Sequence, residues 1–183
     1  MNPIWNALLL LLAACFSALA ADASHVALAQ MEDNALTQAE REIVSLAEAM
    51  PADKYDFAPT QGEFNGVRTF RLQMSHIAAV LDEFAALILS EKPADTGKNE
   101  NGPDALRGKD DVVKYMKGAF AHSHKAMSTL TDQNFTQILE LPWGKMTKGS
   151  LAEMSVSHSF DHYGQAVVYA RMNGIVPPAS RKQ

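Results

Sequence analysis

The chain has a single cysteine in 183 residues, Cys15, and it sits inside an apolar N-terminal run. Beyond that run there can be no internal disulfide, no cysteine nucleophile and no thiolate metal ligand. Lys and Arg form no block, and the formal net charge is -5. That balance argues against nucleic acid as a partner. Uncharged apolar residues run only from 7 to 20, short of the roughly 20 that a spanning helix needs. No repeat or low-complexity tract appears. With 47% apolar and 20% charged residues, the chain has the composition of one globular domain with a buried core.

The apolar run has the character of the central region of a secretory signal peptide. Ala18-Leu19-Ala20 offers a small-x-small cleavage site. The expected division is a signal peptide over 1–20, a linker over 21–35 and a folded domain over 36–180, with a secreted or periplasmic protein as the product. One feature departs from the pattern: residues 2–6 carry no Lys or Arg. Leu12-Ala13-Ala14-Cys15 also resembles a bacterial lipobox, so the alternative is a lipoprotein held at the membrane through Cys15.

Four stretches carry helical periodicity. In the first, Thr37 and Glu40 form a capping box, Leu36, Ile43, Leu46, Ala47 and Met50 make the apolar stripe, and Pro51 stops it. The second, about 68–89, steps through Phe70, Met74, Ile77, Leu81, Phe84 and Ile88. The third, about 110–130, steps through Val113, Met116, Phe120, Met127 and Leu130. The fourth, about 148–173, ends at Gly174 with Pro177-Pro178 beyond it. Residues 131–147 are too broken for a bundle helix. Together these stretches predict an all-α four-helix bundle. The connection from 90 to 108 could span about 60 Å when extended, while a bundle helix of about 21 residues covers only about 32 Å. It is therefore long enough to leave the second and third helices parallel.

The fourth stretch is unusual. Leu151, Ser155, His158, His162, Gln165, Tyr169 and Met172 step by four and three, so the face expected to enter the core is polar at its centre. Buried polar groups cost several kcal/mol unless satisfied. His158 and His162 lie about one turn apart and project from one face, and neutral imidazole suits zinc and neighbouring divalent ions. A third ligand would come from another helix. His76, at the edge of the second stripe, is the first candidate, and His124, on the third, is the next. Three histidines would leave a coordination position open, as in catalytic sites. Without a metal, the same histidines would be hydrogen-bonded core groups.

Two sets of motifs extend this reading. Lys54-Tyr55-Asp56-Phe57-Ala58-Pro59-Thr60 precedes Thr69-Phe70 and Ser75-His76-Ile77. Leu141-Pro142-Trp143-Gly144 precedes His158-x3-His162, Gly164-Gln165, the run from Tyr169 to Ile175, and Pro177-Pro178. Their order and separation resemble the DinB-like (YfiT-like) family over residues 36–180. The resemblance implies an up-down-down-up bundle, often a homodimer, with a divalent transition metal such as Zn or Ni held by His76, His158 and His162. Where the family usually has Arg after the last ligand, this chain has Tyr163, so any hydrogen bonds of that Arg are not expected here. The resemblance also implies metalloenzyme chemistry, either hydrolysis or transfer from a low-molecular-weight thiol that binds as co-substrate.

No catalytic base stands out. Asp161 points about 100° away from His162, and Glu83, two turns past His76, reads as a solvated helix residue. Gln165, one turn past His162, is the candidate to support a ligand or touch a small-molecule substrate. The alternative to an enzyme is a non-catalytic metal- or ligand-binding bundle of the cell envelope.

Overall fold

The computed structural model describes residues 27–182; the expected signal peptide, Cys15 and the start of the expected linker lie outside them. Four long helices dominate the described residues: α1 (Leu28–Ala49), α2 (Phe70–Leu89), α3 (Lys109–Met127) and α4 (Lys148–Met172). A small antiparallel hairpin, β1 (Ile138–Leu141) and β2 (Gly144–Thr147), precedes α4.

Helix α1 begins at Leu28, so residues 28–35 are helical rather than linker. Thr37 is interior and caps nothing. The sequence hides this start because Ala27 makes no side-chain cap. Helices α2 and α4 begin where capping chemistry places them. Thr69 Oγ1 accepts from Leu72 N at 3.3 Å, and Thr147 Oγ1 accepts from Ser150 N at 3.0 Å. The Tyr55–Phe57 segment adds to the start of α2: Phe70 N donates to Phe57 O and Arg71 N to Tyr55 O. Two of the otherwise unpaired first-turn donors are thereby satisfied.

Side-chain pairs between helices give the topology. His122 of α3 meets Asp82 of α2 and Glu91 just beyond that helix. The earlier Arg71 reaches Leu106, just before α3. Numbers rise together, so α2 and α3 run parallel. His124 meets Asp33 and Lys117 meets Glu48, so α1 and α3 run antiparallel. Gln73 meets His162 and Gln165, while Glu83 shares a cleft with Met154 and His158, so α2 and α4 run antiparallel. The bundle is up-down-down-up, with α1 diagonal to α2 and α3 diagonal to α4.

Fourteen of the 20 residues of α2 are buried, because α3 and α4 pack against it on two sides. Its composition and length would suit a membrane span, but the bundle covers most of it. The expected stripe of α2 is buried throughout. On α4 the buried face is Leu151, Ala152, Ser155, Ser159, His162, Ala166, Tyr169 and Ala170. This face is rotated by about one residue from the expected stripe: His158 sits at its edge, and Gln165 and Met172 are exposed. The cause is local. Ser155 Oγ donates to Leu151 O and Ser159 Oγ to Ser155 O, so these hydroxyls enter the core already satisfied. The small side chains then let α4 lie close to its neighbours.

The segment 131–147 folds back onto α4. Lys148 N donates to Gln137 O and Gly149 N to Phe135 O. Any Cβ at Gly149 would lie 2.2 Å from Phe135 Cε1, so only glycine admits that ring. The hairpin turn carries Trp143, which stays 52% exposed, toward the cleft between α2 and α4.

Candidate metal centre

His76 comes from the middle of the most buried helix and is 3% exposed; His162 is 9% exposed. His158 is half-buried. The three rings stand edge to face, with centroids 4.5–5.0 Å apart. Each ring offers one nitrogen such that all three lie within 4.8 Å of one another, the one group of this kind among the described residues.

Two of the rings are fixed by acceptors that set their tautomers. His76 Nδ1–H donates to the Glu100 carbonyl at 2.7 Å. His162 Nδ1–H donates to Gln73 Oε1 at 2.7 Å. In both, Nε2 keeps its lone pair for a ligand role, the arrangement that orients and strengthens metal-binding histidines. His76 Nε2 and His158 Nε2 are 3.2 Å apart. Two nitrogens bound at about 2.0–2.1 Å to one tetrahedral ion would sit about 3.3 Å apart. The donor set therefore fits a divalent transition metal, with room at the fourth position. His158 is the least constrained member: its buried Nδ1 makes no hydrogen bond with the protein.

The electrostatics favour neutral rings. Burial, then the other imidazoles, brings His158 down to about 4; burial, then His76, does the same for His162. Burial also lowers His76, against the raising effect of its Glu100 hydrogen bond. Neutral imidazole is the ligand form.

The Glu100 carbonyl is held by an unusual loop. Asn99 and Glu100 both have φ of 56°, and Gly97 has φ of 72°. Left-handed geometry at a non-glycine residue costs about 1–2 kcal/mol, and such strain persists where surroundings enforce it. Here Arg68 donates to Asn101 Oδ1 and the Asn99 carbonyl, and Ser75 Oγ donates to the Asn101 carbonyl. The loop is thus pinned on both sides of Glu100, by Arg68 just before α2 and by Ser75 within it.

Gln165 does not touch the triad. It accepts from Gln73 Nε2 at 2.9 Å and donates to Asp161 Oδ2 at 3.2 Å. A chain of hydrogen bonds thus runs from His162 through Gln73 and Gln165 to the exposed Asp161. Gln73 and Glu100 escaped sequence reasoning. Gln73 sits one turn before Ile77, and that spacing was its only signal. The Glu100 contribution is a backbone carbonyl, which no side-chain pattern marks. His124 is not part of the site: its imidazole bridges Asp33 and Glu40 of α1.

A cleft of about 320 Å³ reaches His158, bordered by Val80, Glu83, Phe84, Glu100, Trp143 and Met154. Glu83 is half-buried there, not the solvated residue its sequence position suggested. Larger hollows exist, one of about 480 Å³ beside Tyr115, but they contain none of the three histidines. Proximity to the triad, rather than size, selects the smaller cleft.

The sequence model of the DinB superfamily matches residues 35–166. Comparison with curated proteins gives no match. Among solved structures, a DinB-like protein from Bacillus subtilis is similar at TM-score 0.62 and 18% identity, over 83% of this chain and 99% of that one. A conserved protein from Enterococcus faecalis is similar at TM-score 0.65 and 13% identity, over 81% and 98%. YfiT from Bacillus subtilis, described as a probable metal-dependent hydrolase with an unusual four-helix bundle topology, is similar at TM-score 0.60 and 17% identity, over 80% and 88%. At these identities the likeness is one of fold.

Proposed function

The chain belongs to the DinB superfamily, and on that premise we propose that it is a metal-dependent hydrolase whose His76, His158 and His162 hold one divalent transition metal, zinc or nickel. The observation that carries this reading is the pair of fixed tautomers. The Glu100 carbonyl and Gln73 Oε1 each take an Nδ1 proton, which leaves Nε2 of His76 and His162 unprotonated in rings that offer one nitrogen each within 4.8 Å of one another. The description of YfiT as a probable metal-dependent hydrolase points the same way.

A bound divalent ion would supply Lewis acidity, activating water or polarising a substrate carbonyl. The chain supplies the rest. Three neutral imidazoles contribute no charge, so the ion keeps its full electrophilic strength. The chain of Gln73 and Gln165 holds His162 against rotation. The strained loop does the same for His76. Phe84, Met154 and Trp143 provide an apolar wall beside His158.

Hydrolysis is favoured over transfer from a carboxylate-bearing thiol. Glu83 and Glu100 border the cleft and no Lys or Arg does, so the carboxylate of such a thiol, held in the cleft away from the ion, would meet like charge.

The test is turnover of an ester and amide panel by protein dialysed against chelator and then titrated with zinc or nickel. Hydrolysis should rise in proportion to bound metal and be lost in His158→Ala. Turnover indifferent to metal content, or none in stoichiometrically loaded protein, would remove the hydrolase assignment.

A further inference from the structure

We infer that the cleft beside the triad receives the positively charged, amine-bearing end of the substrate, with Glu83 as its counter-charge. This rests on the hydrolytic reading for what happens at the triad, but the charge preference stands on the cleft itself.

Glu83 follows His76 by seven residues, two helical turns, on the same face of α2. The axial rise is about 10 Å, and helical side chains lean toward the N-terminus, so the carboxylate extends from the cleft wall back toward the histidines. It borders the cleft together with Glu100, Phe84, Met154, Trp143 and His158. Glu83 is half-buried. Burial first, and the Glu100 charge second, push its carboxyl above the usual range.

No cationic side chain borders the cleft. Arg68, the cation that acts on the triad, is committed to Asn101 Oδ1 and the Asn99 carbonyl. The remaining wall is apolar and aromatic, and Trp143 projects from the hairpin turn with half its surface exposed. An ammonium group can satisfy all of these at once. It pairs with Glu83, lowers the repulsion between Glu83 and Glu100, and lies against an indole face, a cation–π contact. An anion would gain none of these. The volume, about 320 Å³, is at the lower end for small-molecule sites and suits a compact arylalkyl amine.

The probes are benzylamine, charged at neutral pH, and benzyl alcohol, its neutral counterpart of similar shape. Binding is measured by calorimetry on the zinc-loaded protein and again after dialysis against chelator. The expected result is a preference of at least tenfold for benzylamine in both forms, abolished in Glu83→Gln with the helical circular dichroism unchanged. Equal binding of the two probes, no binding of benzylamine, or a preference that survives Glu83→Gln would overturn the proposal. So would a Glu83→Gln variant that loses zinc affinity while keeping the amine preference, because the carboxylate would then serve only to balance the ion. Failure of the hydrolase reading looks different: turnover would be absent while the metal-free protein still selected benzylamine.

Discussion

Replacing Gln73 with Leu should weaken metal binding without dismantling the bundle. Gln73 is 2% exposed, and leucine of similar volume fills most of its space. What disappears is the acceptor for His162 Nδ1–H, now at 2.7 Å, and the donor to Gln165 Oε1 at 2.9 Å. Gln165 is exposed, so water replaces its lost bond cheaply. His162 is buried, so an Nδ1–H without an acceptor costs about 1–3 kcal/mol. The metal-free protein escapes that cost by moving the proton to Nε2 or rotating the ring. The loaded protein cannot, because Nε2 is then engaged. The difference falls on affinity: about 1–3 kcal/mol corresponds to roughly 5- to 150-fold in Kd, in line with the about 10- to 100-fold typical of partners that support metal ligands. Gln73→Glu, which keeps an acceptor, should restore most of the affinity. The assay is zinc competition against a chromophoric chelator at fixed pH. A Kd within twofold of wild type in Gln73→Leu would refute the role assigned to this hydrogen bond.

Other outcomes follow from the same geometry. His158→Ala should abolish the rise in Tm that zinc gives wild type, since ligand binding to the native state is what raises it; an undiminished shift would count against His158 as a ligand. Gly97→Ala should destabilise the chain, because its Cβ would stand 2.1 Å from the Gly102 carbonyl oxygen at a φ of 72°, and chelator titration should find weaker zinc binding through loss of the Glu100 acceptor. Burial works against a charged His124, but its hydrogen bonds to Asp33 and Glu40 raise it on balance above 6.5. The charged form therefore stabilises the native state fully below pH 6.5, and that contribution is lost as the pH rises through the raised value. The Tm gap between wild type and His124→Gln should accordingly be widest below pH 6.5 and narrow on going alkaline. Phe120→Ala, in the fully buried core, should lose about 3–5 kcal/mol in urea unfolding.

The bundle was legible wherever large apolar residues mark the buried face. Phe70, Met74, Ile77, Leu81, Phe84 and Ile88 gave α2 its extent and orientation. The length of the 90–108 connection allowed α2 and α3 to run parallel, as they do. The start of α1 was not legible, because no capping side chain marks it and Thr37 with Glu40 imitates a cap ten residues after Ala27. The buried face of α4 was misjudged by about one position: Ser155 was placed on it, but Ser159 counts as polar in sequence and yet enters the core bonded to its own helix. Residues 131–147 read as broken; they form a hairpin whose turn carries Trp143 to the cleft. The triad itself was visible from spacing and family likeness. Its supporting groups were not, because a backbone carbonyl aimed by left-handed residues leaves no mark in a side-chain pattern.

The central claim is that His76, His158 and His162 coordinate one metal ion through Nε2. X-ray absorption at the metal edge of stoichiometrically loaded protein tests it most directly. The account predicts one ion per chain, with three imidazole nitrogens at about 2.0–2.1 Å and one further light-atom ligand, and loss of the imidazole signal in a His76→Ala, His162→Ala double variant. Fewer than two imidazoles in the first shell, or a spectrum unaltered by that double substitution, would contradict it.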